Sequence, residues 1–217
     1  MSDILNKIIK VDFPEDQYIP RVTNKNQIVL HHTVSPNNSV KGDIASWVNS
    51  KARIATCIII GGDGTPYQMF SSKYWGYHLG IKSSVFKNLN IPYNLLDDNA
   101  IGVEIDSAGG LTKKNGKWYD VYGYHIKDED VVEYSNGYRG FYGFQKYTDK
   151  QIETVKELLL FWHNRYNISL DYNDDMWDVS INALKGKSGV WTHTSFRHDK
   201  SDCHPQPELI KMLKELK

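Results

Sequence analysis

The stretch Gln27-Ile28-Val29-Leu30-His31-His32-Thr33 decides the reading of this chain. Three apolar residues, two of them β-branched, form a short run that polar residues bound on both sides, which favours a buried strand over a helix. The run ends in histidine, so the strand should deliver an imidazole to the edge of a sheet. Gly189-Val190-Trp191-Thr192-His193 repeats this arrangement far downstream, and Asp202-Cys203-His204-Pro205 follows it. Two histidines with one cysteine or aspartate would supply three protein ligands. A three-ligand set leaves a fourth tetrahedral position open, so the pattern describes a split catalytic zinc site and not a closed structural one.

Outward from these ends, Ala55 to Ile60, Ile101 to Ile105 and Val190 to Thr192 are further short strand candidates. Gly61-Gly62-Asp63-Gly64-Thr65 between Cys57 to Ile60 and Tyr67 to Phe70 predicts a hairpin. Ile152, Val155, Leu159, Trp162 and Tyr166 recur at helical spacing and predict a helix over 150–166, with Thr148 and Gln151 forming a capping box at its start. Other helices are expected near 43–51 and 208–216, the last set up by Pro205 and Pro207. Strand, helix, hairpin, strand, helix, strand, helix is the order of an α/β (α+β) single domain, with a central mixed sheet flanked by helices and the zinc site at its edge. Residues 1–26 read as an N-terminal extension and 27–217 as the catalytic domain. Within it, 107–147 is rich in Gly, Tyr and charge and reads as an aromatic excursion, a long functional loop whose aromatics, Tyr122 among them, could form a sugar-stacking wall, or a packed flap over the sheet.

With 217 residues, the chain suits one domain with a sizeable core better than two. Its 26 Lys and Arg balance 26 Asp and Glu, which leaves no general electrostatic footprint for nucleic acid or an anionic membrane. Two cysteines are too few for a disulfide framework; Cys57 reads as buried and apolar, Cys203 as a ligand type. No basic region followed by an apolar stretch opens the sequence, so the expectation is a product made in the cytoplasm without a signal peptide or membrane span.

Five blocks in order resemble the type-2 N-acetylmuramoyl-L-alanine amidases, the zinc amidases of phage endolysins, bacterial autolysins and peptidoglycan-recognition proteins. They are Leu30 to Thr33; Cys57 to Ile60 with Gly62 to Gln68; Trp75-Gly76-Tyr77-His78-Leu79-Gly80; Asn99 to Glu104; and His193 to Pro205. Five ordered blocks are far more specific than any one. The resemblance implies a Zn2+ enzyme that cuts the bond between N-acetylmuramic acid and L-alanine of the stem peptide, with peptidoglycan as its partner. It also implies a phage or prophage lysin. A non-catalytic peptidoglycan-binding protein of the same fold and a zinc peptidase acting within the stem peptide are the rival readings.

Residue by residue, His31 and His193 match the first two ligands. Cys203 is the expected third, because many members carry a ligand cysteine before proline and thiolate binds zinc well; Asp202, two residues after Lys200, matches the alternative that other members use. His32 should point to the opposite face of its strand. Glu104, a carboxylate inside an apolar strand, is costly there without a task and is expected to act as general base. Lys200 matches the lysine that steadies an oxyanion, although in members with a ligand cysteine the helper lies where Ser201 stands here. His78 matches a position bordering the cleft and is expected to touch substrate. Thr56 departs from the pattern, since some members place a catalytic tyrosine there.

Overall fold

The computed structural model describes residues 4–36 and 39–216. Its central sheet has six strands: β1 (Ile9–Lys10), β2 (Gln27–His32), β3 (Ile58–Ile60), β4 (Pro66–Gln68), β5 (Ala100–Ile105) and, at the far end of the chain, β11 (Gly189–Thr192). They lie in the order β1-β4-β3-β5-β2-β11, parallel at every junction except the β3-β4 hairpin. Parallel strands that are buried on both faces read as continuous apolar runs. That is the pattern of β2, every residue of which is buried.

Parallel pairing also brings chain-distant strand ends to one edge. Leu30 pairs with Thr192 and His31 with Glu104, so the histidine ending β2, the carboxylate near the end of β5 and the histidine following β11 arrive side by side. This register is what assembles the site.

Among the described residues, seven helices complete the frame: α1 (Ile4–Lys7), α2 (Val40–Ser50), α3 (Ser83–Leu89), α4 (Leu95–Asn99), α5 (Asp149–Tyr166), α6 (Ile181–Leu184) and α7 (Pro207–Glu215). The Thr148 hydroxyl accepts from the Gln151 N–H while the Gln151 side chain accepts from the Thr148 N–H, the capping box expected at the start of α5. Ile152, Val155, Leu158, Leu159 and Trp162 form its buried stripe and join the main core with the β2, β3 and β5 side chains. Among the described residues no helix is long and apolar enough to cross a membrane.

Residues 107–147 correct the reading of that segment as a loop. They form a second, antiparallel sheet of β6 (Gly110–Lys114), β7 (Lys117–Tyr119), β8 (His125–Ile126), β9 (Val131–Tyr138) and β10 (Phe141–Gln145), in the order β8-β7-β6-β10-β9. It has its own small core of Ala108, Leu111, Trp118, Ile126 and Val131. Two of its turns are two-residue connections with both residues at positive φ, Asn115-Gly116 (49° and 78°) and Arg139-Gly140 (49° and 87°). Turns of this hand match the twist of paired strands. The N-terminal extension is likewise structured, since β1 closes one edge of the central sheet beside β4.

Candidate metal centre and active site

His31 and His193 reach the sheet edge by different routes. His31 rides on β2, while His193 opens a short 3-10 turn (His193–Ser195) after β11, where Thr192 and Ser195 cap each other. Asp202 comes from the following loop. The three meet in a buried triangle, with His31 Nδ1 3.0 Å from His193 Nδ1 and 3.1 Å from Asp202 Oδ2, and His193 Nδ1 2.9 Å from Asp202 Oδ2.

The outer ring nitrogens settle what this triangle offers. His193 Nε2 lies 2.9 Å from the Leu79 carbonyl oxygen, which can only accept, so Nε2 carries the proton and Nδ1 presents a lone pair inward. His31 Nε2 lies 3.0 Å from His78 Nδ1. Burial, followed by the neighbouring His193, lowers the His31 pKa to about 4, so its imidazole is neutral at ordinary pH. Burial alone would raise the Asp202 carboxyl, but the neighbouring His193 and His31 imidazoles hold it well below the usual range. A carboxylate and two imidazole nitrogens thus converge, all within 4.8 Å of one another. Such a set calls for a cation, and a ring N–H donating outward to a carbonyl is the usual way in which a metal-binding histidine is oriented. The residues fit a metal ion.

Cys203 is not part of this set, and the expectation for the third ligand is corrected accordingly. The Tyr147 hydroxyl donates to Cys203 Sγ at 3.0 Å, and the same hydroxyl lies 2.8 Å from His32 Nδ1. His32 follows His31 on a strand, so it occupies the opposite face, as expected, and Cys203 keeps it company there. Burial pushes the thiol well above its ordinary pKa. A thiol held neutral on the far face cannot serve the triangle, whereas the Asp202 carboxylate, one residue earlier, points into it.

His78 also sits differently from its expected role as a substrate contact. It lines the cleft but is buried, and its Nδ1 is engaged with His31. Burial, reinforced by His31 and His193, lowers its pKa well below the ordinary value. Gly102 of β5 makes room for it: a Cβ there would lie 3.0 Å from the His78 ring and 2.7 Å from Thr56 Cγ2. His78 therefore orients His31.

Glu104 stands beside His31 in the sheet register, and its Oε2 is buried with no hydrogen-bond partner. Burial, then the nearby Asp202 and Asp43 carboxylates, raises its pKa well above the ordinary value, with Lys200 pulling the other way. Glu104, Lys200, Arg197 and the triangle line one cleft. Ser201 is not among the described residues that line this cleft.

The sequence of residues 22–207 matches the family model described as N-acetylmuramoyl-L-alanine amidase, most of the chain. The chain belongs to this amidase family. No curated protein matches it in sequence. Solved structures share the amidase fold at low identity. PlyL aligns at a TM-score of 0.51 and 13% identity, covering 95% of each chain. The Staphylococcus aureus hydrolase AmiA, in complex with its ligand, aligns at 0.52 and 13%, covering 95% of this amidase and 80% of that chain. The PlyG catalytic domain aligns at 0.51 and 13%, with 95% and 93% covered.

Reading outward from the metal triangle, sequence reasoning missed three residues at the amidase site: Leu79, whose carbonyl meets His193, and Arg197 and Trp47 in the cleft wall, whereas Tyr122 lay in the aromatic segment already singled out. Leu79 lay within the Trp-Gly-Tyr-His-Leu-Gly block already singled out, but a backbone acceptor leaves no mark in side-chain identity.

Proposed function

We propose that this chain is a zinc-dependent amidase that hydrolyses the bond between the lactyl group of N-acetylmuramic acid and L-alanine of the stem peptide. The observation that carries the reading is the buried His31-His193-Asp202 triangle with an unpartnered carboxylate, Glu104, beside it. Zinc held by His31, His193 and Asp202 would supply Lewis acidity, activating water and polarising the scissile carbonyl. Glu104, its pKa raised well above the ordinary carboxylate value by burial, takes the proton from the attacking water and passes it to the departing L-alanine amine. Lys200 faces the same cleft and offers a cation to the oxyanion of the tetrahedral intermediate. His78 and the Leu79 carbonyl fix the two imidazoles so that their inward nitrogens do not rotate away.

The resemblance of the sequence blocks to phage endolysins supports a setting as a phage or prophage lysin, made in the cytoplasm and acting on the cell wall. Mass spectrometry of purified walls after digestion tests the reaction. The expected products are free N-terminal L-alanine and glycan carrying an intact lactyl group; cuts inside the stem peptide would assign a peptidase, and walls bound but uncut a binding protein.

A further inference from the structure

The cleft has two arms of different chemistry that share Thr33, Val34, Trp47 and Glu104 as common wall. One arm runs past the metal triangle to Arg197 and Lys200. The other runs to Ser35, Asp43, Ser46 and Tyr122, and none of the residues lining it is cationic. Tyr122 comes from the second sheet, at the tip of the turn between β7 and β8. The buried Asp120 carboxylate accepts from the N–H groups of Tyr122 and Tyr124 at 2.9 and 2.8 Å, which fixes this tip. The Tyr122 hydroxyl donates to the Val34 carbonyl at 3.3 Å, so the tip is latched to the segment just after His31 and His32, yet the residue remains 60% exposed.

An exposed ring, Tyr122, and a half-buried one, Trp47, beside hydroxyl and carboxylate acceptors and without a cation, suit a neutral polyhydroxylated ligand: sugar C–H faces pack on rings while sugar hydroxyls donate to side-chain oxygens. A cationic arm suits free carboxylates. Resting on the amidase reading, we propose that the substrate lies across the triangle with one polarity. The glycan strand occupies the Trp47-Tyr122 arm and the carboxylate-bearing stem peptide the Arg197-Lys200 arm, so that Tyr122 on the second sheet is a sugar-binding residue.

The test is an NMR titration of the full chain with chitotetraose, a neutral peptide-free oligosaccharide, alongside hydrolysis of purified walls. Shifts are expected at the Trp47 indole and the Thr33 and Val34 amides. Tyr122→Ala should weaken binding roughly 5- to 10-fold, the loss expected for one packed ring, while Tyr122→Phe stays within about 2-fold of the parent. Equal affinity in the parent and Tyr122→Ala, shifts confined to the Arg197-Lys200 arm, or no binding by the parent would overturn the assignment, whatever the catalytic result. Oligosaccharide binding of the expected pattern with no hydrolysis of walls would uphold this arm and overturn the amidase reading alone.

Discussion

Asp202 and Cys203 are chain neighbours that the fold assigns to opposite faces of β2, and substitution should separate them. Asp202→Asn removes a charged ligand atom from the triangle, whereas Cys203→Ser alters the far-face contacts with the Tyr147 hydroxyl and the His31 carbonyl and leaves the three ligand atoms in place. The parent should purify with about one zinc per chain, and zinc content measured by mass spectrometry should collapse in Asp202→Asn and persist in Cys203→Ser. The opposite ranking would return the ligand role to the thiol. Glu104→Gln keeps the size of the side chain but not its basicity, so hydrolysis should fall by roughly 10²- to 10⁴-fold with zinc retained. Near-parent turnover in that variant would remove Glu104 from the chemistry.

Asp97 gives the residue scale a pH dependence. It is buried and accepts from the Leu79 N–H, and burial raises its pKa from 3.8 to about 7 in the fold. The unfolded chain ionises first, so stability is lost as pH rises from about 4 and the loss is complete a little above 7. Asparagine can accept the same hydrogen bond without a charge. Asp97→Asn should therefore match the parent near pH 4 and exceed it above pH 7, by on the order of 2–4 kcal/mol in denaturant melts. A gain independent of pH would show that the carboxyl is not the cause.

At the scale of elements, β2, β3, β5, β11 and α5 were legible because each combines an apolar run or stripe with a clear boundary. The hydroxyl at the start of α5 was equally plain, and Thr148→Ala should cost about 1 kcal/mol by equilibrium unfolding. The second sheet was hidden for a physical reason. Burial along its strands is mixed, and the longest of them, β9, reads Val-Val-Glu-Tyr-Ser-Asn-Gly-Tyr, with apolar alternation too broken to mark a face. One signal was present and unused: Asn115-Gly116, the preferred pair for a two-residue hairpin turn, stands between β6 and β7. The site divides in the same way. His31, His193 and Glu104 could be placed because strand ends have a direction, whereas the choice between Asp202 and Cys203 depended on the course of a loop, which sequence spacing does not determine.

Across the whole molecule, two hydrophobic cores have unequal weight. The main core gathers the central sheet and helices, while the second holds five buried residues around Trp118. Trp118→Ala should therefore loosen the second sheet by itself: hydrogen exchange should quicken over residues 110–145 while β2 and β5 keep the protection of global unfolding. Loss of protection everywhere at once would mean that the two cores melt as one unit.

The double burial of β2 raises the matter of how the strand finds its alignment. A strand with one wet face is aligned by its alternation, because a slip of one residue would turn its apolar side chains to water. Ile28, Val29 and Leu30 are all fully enclosed, so a slip would exchange one apolar neighbour for another. With histidines at both 31 and 32, it would even leave an imidazole at the cleft. Discrimination falls to the polar ends, where the Gln27 amide donates to the Ala183 and Lys187 carbonyls at 3.0 and 3.1 Å and His32 meets the Tyr147 hydroxyl at 2.8 Å. These two anchors are what tells the folding chain which of two identical side chains belongs at the reaction centre.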